Sequence, residues 1–137
     1  MEKLTQLFKE KNLKLTPQRY AIYKYLSSTK AHPSVETIYE SLKSDYPTMS
    51  LATVYKTLKT LSALNLIQEI NVGEDNFRFD ANPNIHPHII CTSCGRVDDV
   101  EAANFSYLNI EAEKLSGYSI DSHQIYFYGT CPECRKK

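Results

Sequence analysis

Two cysteine pairs stand out, Cys91-x-x-Cys94 and Cys131-x-x-Cys134. A two-residue spacer lets both thiolates of a pair meet one tetrahedral ion at about 2.3 Å. Gly95, directly after the first pair, permits the tight turn that such knuckles use. The 36 residues between the pairs exceed the spacing of a compact zinc ribbon, so a shared ion would staple together the two ends of the C-terminal half. Four thiolates fill a tetrahedron and leave no position for water, which makes the site structural zinc rather than catalytic. Two CxxC disulfides, or four free core cysteines, are the competing readings of the same spacing.

A second group is looser in sequence. In His86-Pro87-His88, Pro87 biases His86 toward an extended backbone, and residues at i and i+2 of an extended segment point to one side. Asp80 and Asp99 flank the two histidines, Asp98 neighbours Asp99, and His32 lies far upstream beside Pro33. Imidazoles with carboxylates and no thiolate suit Fe²⁺, Mn²⁺ or Zn²⁺ without selecting among them. Taken alone, the same residues also fit polar loops and helix caps.

The third group lies on a helix predicted after Ser50. Leu51, Val54, Leu58, Leu61 and Leu64 recur with a period near 3.5, and the opposite face carries Thr53, Lys56, Thr57, Lys59 and Thr60 without an acidic residue. Tyr55 is placed to reach out from the buried stripe. Such a face suits phosphates and base edges of DNA, although a solvated helix surface has the same composition. Nothing comparable supports catalysis. There is no nucleophile with a local base, no glycine-rich phosphate loop among four glycines, and no HExxH motif. An enzyme would have to use the His/Asp group as an open metal centre.

These groups must be positioned by the surrounding chain. Its 137 residues allow one medium domain or two small ones, and two would sit near the size that needs a metal or a partner chain to complete the core. No apolar run approaches the roughly 18 residues of a membrane span, and the first residues lack a signal peptide's apolar segment. A cytoplasmic location is therefore expected, where thiols are kept reduced and metal ligation is favoured over disulfides. Net charge is zero, yet residues 1–60 hold ten Lys/Arg and five Asp/Glu while residues 61–137 hold six and eleven. That asymmetry points to nucleic acid.

The first half reads as helices with clear starts. Leu4, Leu7 and Phe8 mark a short first helix. Thr16-Pro17 caps a second, with Ile22, Tyr25 and Leu26 as its stripe, and Ser34 caps a third with Val35, Ile38, Tyr39 and Leu42. After the helix capped by Ser50, residues 66–72 and 77–79 read as a hairpin around Gly73-Glu74-Asp75-Asn76. Helices followed by a hairpin is the order of a winged helix. Beyond the polar segment 80–84, strands are expected before Cys91, near Val97–Val100, at Tyr118–Ile120 and at Ile125–Tyr128. A helix carrying Phe105, Leu108, Ala112 and Leu115 is expected to end at Gly117. No internal repeat is present.

Read in order, Thr16-Pro17-Gln18-Arg19, Ala31-His32-Pro33, Ser50-Leu51-Ala52-Thr53-Val54-Tyr55, Arg78-Phe79-Asp80, His86-x-His88-x-x-Cys91-x-x-Cys94-Gly95 and Cys131-x-x-Cys134 resemble the ferric uptake regulator family of metal-dependent repressors over essentially the whole chain. The resemblance implies an α+β protein with a winged-helix DNA-binding domain at 1–79, a hinge at 80–86 and a small α/β dimerisation and metal-binding domain at 87–137. It implies a homodimer, not an enzyme and not membrane-bound, that binds palindromic double-stranded operator DNA when metallated. Structural Zn²⁺ falls on Cys91, Cys94, Cys131 and Cys134. A regulatory Fe²⁺ or Mn²⁺ falls on His32, Asp80, His86, His88 and Asp99. Arg19, Ser50, Thr53, Tyr55, Lys56, Thr57 and Lys59 are the candidate DNA contacts.

Iron-sensing members usually carry Glu at the positions of Asp80 and Asp99, and peroxide-responsive repressors usually carry Asp at both. The chain thus looks like the peroxide branch, in which hydrogen peroxide oxidises a ligand histidine, here His32 or His86 by analogy, and the repressor leaves DNA. A repressor of metal uptake genes responding to iron or zinc is the alternative within the family, and a small iron or zinc metalloenzyme the alternative outside it. A further metal site of some members would need the positions here held by Ile85, Pro87, Ser106 and His123. Only His123 can ligate, so that site is expected to be absent.

Overall fold

The computed structural model describes residues 2–73, 76–100 and 105–137. It divides into two compact units, Met1–Pro83 and Asn84–Lys137.

The first unit holds four helices, α1 (Glu2–Glu10), α2 (Pro17–Ser27), α3 (Val35–Leu42) and α4 (Leu51–Ala63), then strands β1 (Gln68–Asn71) and β2 (Phe77–Asp80). Three helices start where a hydroxyl takes up an unpaired amide. Thr16, Ser34 and Ser50 accept from the backbone N–H of Arg19, Thr37 and Thr53 at 3.2, 3.2 and 3.1 Å. Each such cap contributes about 1 kcal/mol. The apolar stripes meet in one core of Leu4, Phe8, Ile22, Leu26, Ile38, Met49, Val54, Leu58, Leu61, Ile67 and Phe79. The strands pair antiparallel, Gln68 opposite Asp80 and Asn71 opposite Phe77, completing a winged helix. At the expected turn, Glu74 and Asp75 lie outside the described residues.

Helix α4 corrects two expectations. Its inner face is Val54, Thr57, Leu58 and Leu61, each at most 1 % exposed, whereas Leu51 is 44 % exposed. At 3.6 residues per turn, position 57 lies on the same side as 54 and 61. Thr57 is therefore a core residue and is removed from the candidate DNA contacts. Leu51, one turn before the core, belongs to the outer surface.

The second unit contains β3 (His88–Cys91), β4 (Val97–Asp99), α5 (Tyr107–Ser116), β5 (Tyr126–Gly129) and a short α6 (Pro132–Arg135). Its sheet runs β4-β3-β5, with β3 antiparallel to β4 and parallel to β5. A parallel neighbour requires a crossover, which α5 supplies. Gly117 ends that helix at φ 77, the left-handed cap position.

The strand expected at Tyr118–Ile120 does not form. The backbone N–H groups of Tyr118 and Ile120 donate to the side chains of Ser116 at 3.1 Å and Glu113 at 3.2 Å, so these amides serve the end of α5 instead of a ladder. The core of this unit is thin. Among the described residues its buried apolar side chains are Pro87, Ile90, Cys91 and Val97, and no residue of α5 is buried. No helix among the described residues is long and apolar enough to cross a membrane.

Candidate functional site

Parallel pairing of β3 with β5 explains why cysteines 36 residues apart meet. Parallel strands end side by side, so the pair that closes β3 and the pair that follows β5 arrive at the same edge, with Cys91 opposite Gly129. The four sulfurs lie within 4.8 Å of one another, Cys94 and Cys131 at 3.8 Å, and none is in a disulfide. The first knuckle is closed by Gly95 N–H donating to Cys91 O at 2.9 Å, with Gly95 at φ 80.

The electrostatics of the cluster suit a dication. The Cys131 backbone N–H, 3.3 Å from Cys91 Sγ, and then the Cys94 amide lower the Cys91 thiol to about 6. The Cys134 amide in turn lowers Cys131. Hydrogen bonding to Cys131 and Cys94 pushes Cys134 up to about 12. The donor set fits Zn²⁺ in a closed, structural role.

The His/Asp residues form a partial set in each unit. In the first, His32 is buried and its Nε2 lies 3.2 Å from Asp80 Oδ2, while Asp80 Oδ1 accepts the Asn82 N–H at 2.9 Å. In the second, His88 on β3 lies opposite Asp99 on β4. Asp99 Oδ1 is 2.9 Å from His86 Nε2 and 3.3 Å from His88 Nε2, with the two rings 4.4 Å apart. His86 Nδ1 donates to Asn84 O at 2.7 Å, which turns Nε2 toward the carboxylate. Imidazole nitrogens facing carboxylate oxygens is an arrangement a divalent ion satisfies, and all-N/O donors fit Fe²⁺ or Mn²⁺.

On the winged helix, Tyr55 is 53 % exposed and Lys56 is exposed with no ion pair among the described residues. Lys59 has a different role from the one its position suggests. Its Nζ sits 2.9 Å from Glu69 of β1 and over the rings of Tyr55 and Phe77 at 5.4 and 5.3 Å, tying α4 to the hairpin. Glu69 holds the Lys59 ammonium above its ordinary range. The acid-free helix face thus meets an acid from another element. Ser50 and Thr53 bond each other at 2.9 Å and cap α4, and Arg19 Nη1 donates to Lys14 O at 2.6 Å. A concavity of about 720 Å³ opens between α3, α4 and the hairpin, lined by Leu51, Tyr55, Val72, Phe77 and Phe79 among others.

Glu69 and Asn84 received no role from the sequence, and Arg78 stood there only within the Arg78-Phe79-Asp80 motif with no role of its own. Arg78 was the findable one, since it stands two residues before Asp80 on a strand and so shares its face. His123, the surviving position of the further metal site, pairs through Nδ1 with Asn109 Oδ1 at 2.6 Å.

A winged helix joined to an α/β unit with a thiolate knuckle and N/O donor sets defines a metal-dependent transcriptional regulator. The chain belongs to the ferric uptake regulator family, whose model matches residues 10–128. It is 61% identical to the transcriptional regulator PerR of Clostridium acetobutylicum over 100% of this chain and 99% of that protein. Among solved structures it is similar to the Campylobacter jejuni peroxide stress regulator, with a TM-score of 0.77 and 35% identity over 96% of this chain and 98% of that one. The Helicobacter pylori ferric uptake regulator Fur, described as having three functional metal binding sites, matches with a TM-score of 0.82 and 27% identity over 99% of this chain and 91% of that one. These relatives are regulators, not enzymes.

Proposed function

We propose that the protein is a homodimeric, Fe²⁺- or Mn²⁺-dependent repressor that holds palindromic operator DNA and releases it when hydrogen peroxide oxidises a ligand histidine. One observation carries the reading. The N/O donors are divided between the two compact units, two in the first and three in the second, and neither set alone fills the coordination sphere of such an ion. An ion drawing on His32, Asp80, His86, His88 and Asp99 together would couple the orientation of the DNA-binding unit to its own presence. In a dimer, that orientation matches two α4 helices to half-sites about one helical turn apart.

Each residue has a task in this scheme. Asp80 and Asp99 supply negative charge, Asn84 fixes the His86 ring, and the Asn82 amide fixes Asp80. When bound, Fe²⁺ supplies the redox chemistry by which peroxide gives one oxygen atom to a ligand imidazole and leaves as water. His32 and His86 are the proposed acceptors. Oxidation weakens the ligand set, and the DNA-binding unit is then free to leave its operator register.

The apolar surface of the second unit supports self-association. Ile89 and Phe127 pair on one sheet face at 39 % and 38 % exposure, and Tyr107, Ile110 and Leu115 of α5 are 55 % exposed or more. A second copy of this chain is the proposed cover. Retention of operator DNA by the Mn²⁺-loaded protein after mild peroxide, and its loss by the Fe²⁺-loaded protein, is the expected result of a mobility-shift experiment. Loss with both metals, or with neither, contradicts the proposal. A repressor of metal uptake is the second reading, favoured by the fold match to Fur, and predicts release on metal removal with peroxide inert.

A further inference from the structure

We propose that Arg78 is a positioning residue for the metal ligand His32. The inference rests on the reading of His32 and Asp80 as part of a regulatory metal site.

His32 has φ 53, in the left-handed region, which is uncommon for a residue with a Cβ and is here enforced by neighbouring contacts. The enforcement comes from three consecutive residues of one strand. Arg78 Nε donates to His32 O and Arg78 Nη2 donates to Ala31 O at 3.1 Å. The next residue's backbone, Phe79 N–H, donates to Pro33 O at 3.1 Å. The residue after that, Asp80, meets the His32 ring at 3.2 Å. Residues 78 to 80 of β2 therefore grip the carbonyls of Ala31, His32 and Pro33 and the imidazole between them.

Three features make the arginine specific to this task. A guanidinium presents parallel N–H groups in a rigid plane and can hold two successive carbonyls at a fixed angle, whereas an ammonium binds as a point and leaves the angle free. Alternation along a strand puts residues 78 and 80 on the same side, so the residue that shapes the corner and the residue that pairs with its imidazole are held in one register. His32 is also buried at 2 % exposure while Ala31 is exposed, so the Nε contact to His32 O is the more sheltered arm of the fork. Loosening the fork would let the corner relax from its left-handed turn and swing Nε2 away from Asp80.

Partners that orient metal ligands typically change metal affinity by about 10- to 100-fold when lost. The test uses the zinc-replete full chain with Mn²⁺ as the probe, comparing Arg78→Lys, His32→Ala, Asp80→Ala and the Arg78→Lys/His32→Ala double variant. Arg78→Lys is expected to weaken Mn²⁺ binding about tenfold, while saturating Mn²⁺ restores operator affinity to the parent value. In the His32→Ala background, the same substitution is expected to cause no further loss.

Unchanged Mn²⁺ affinity in Arg78→Lys, with Asp80→Ala severely impaired, would overturn the positioning role and leave the metal site standing. Weak operator binding at saturating Mn²⁺, or an equal extra loss in the double variant, would make Arg78 a general support of the winged helix and also overturn it. If Asp80→Ala binds Mn²⁺ like the parent, the metal site itself is misassigned and the Arg78 role falls with it.

Discussion

The two donor groups of this chain differ in softness, in closure and in where they lie. The thiolate group is contained in one unit, its sulfurs within 4.8 Å of one another at the joined ends of two parallel strands. The imidazole–carboxylate group is split, His32 with Asp80 before Pro83 and His86, His88 with Asp99 after it. A metal in the closed soft site would complete a core that is otherwise thin and would be part of the fold. In the proposed function, the ion drawing on the hard donors would be the exchangeable one that acts as a signal. The same 137 residues thus offer two ligand sets of different chemistry, one suited to a permanent ion and the other, in the proposed function, to an exchangeable one.

The contrast predicts effects of very different size. Cys131→Ser, or zinc chelation, should have the largest, because structural zinc supplies roughly 10–16 kcal/mol of folding free energy in small zinc domains. Loss of zinc, of the circular-dichroism signal of the second unit and of the dimer in sedimentation is expected, and a stable dimer without these cysteines would refute a structural zinc. Next, Lys56→Glu should weaken operator binding by tenfold or more at moderate salt, read by fluorescence anisotropy, with both metals retained. Unaltered affinity would show that α4 is not the reader.

Smaller effects sharpen the split site and the helix that answers to it. Asp99→Glu should keep Mn²⁺-dependent operator binding and slow peroxide inactivation several-fold. An unchanged inactivation rate, followed by operator release, would remove carboxylate length as a cause. Glu69→Gln should weaken operator binding only a few-fold, by freeing Lys59 and loosening the hairpin from Tyr55. Tighter binding in that variant would instead mean that Lys59, once released, is a phosphate contact.

What was legible in the sequence follows from range. Caps at Thr16, Ser34 and Ser50 act within one turn, and the spacer within each cysteine pair is local, so both could be read directly. Thr57 was misplaced because polarity alone puts a threonine outside, while helical phase puts it between Val54 and Leu61. Tyr118–Ile120 has strand composition, but its amides are taken by Ser116 and Glu113, a competition visible only once α5 is placed. Lys59 and Arg78 find their partners ten and more than forty residues away.

The charge asymmetry also changes when the chain is divided between its two compact units. Divided at Pro83, the first unit holds eleven Lys/Arg and nine Asp/Glu, and the second five and seven. The excess is then modest, because Glu69, Glu74, Asp75 and Asp80 all precede Pro83 in the sequence. The proposed DNA interface would therefore rest on local cations such as Lys56, not on the net charge of a half.

The most direct measurement is peptide mass spectrometry of the zinc-replete protein loaded with Fe²⁺ or with Mn²⁺ and exposed to mild peroxide. The mass of one oxygen atom should be added to the peptide of His32 or His86 in the Fe²⁺-loaded protein, in step with loss of operator binding, and should be absent with Mn²⁺. Equal oxidation with both metals, or release from the operator with both histidines intact, would contradict a sensor built on the split site.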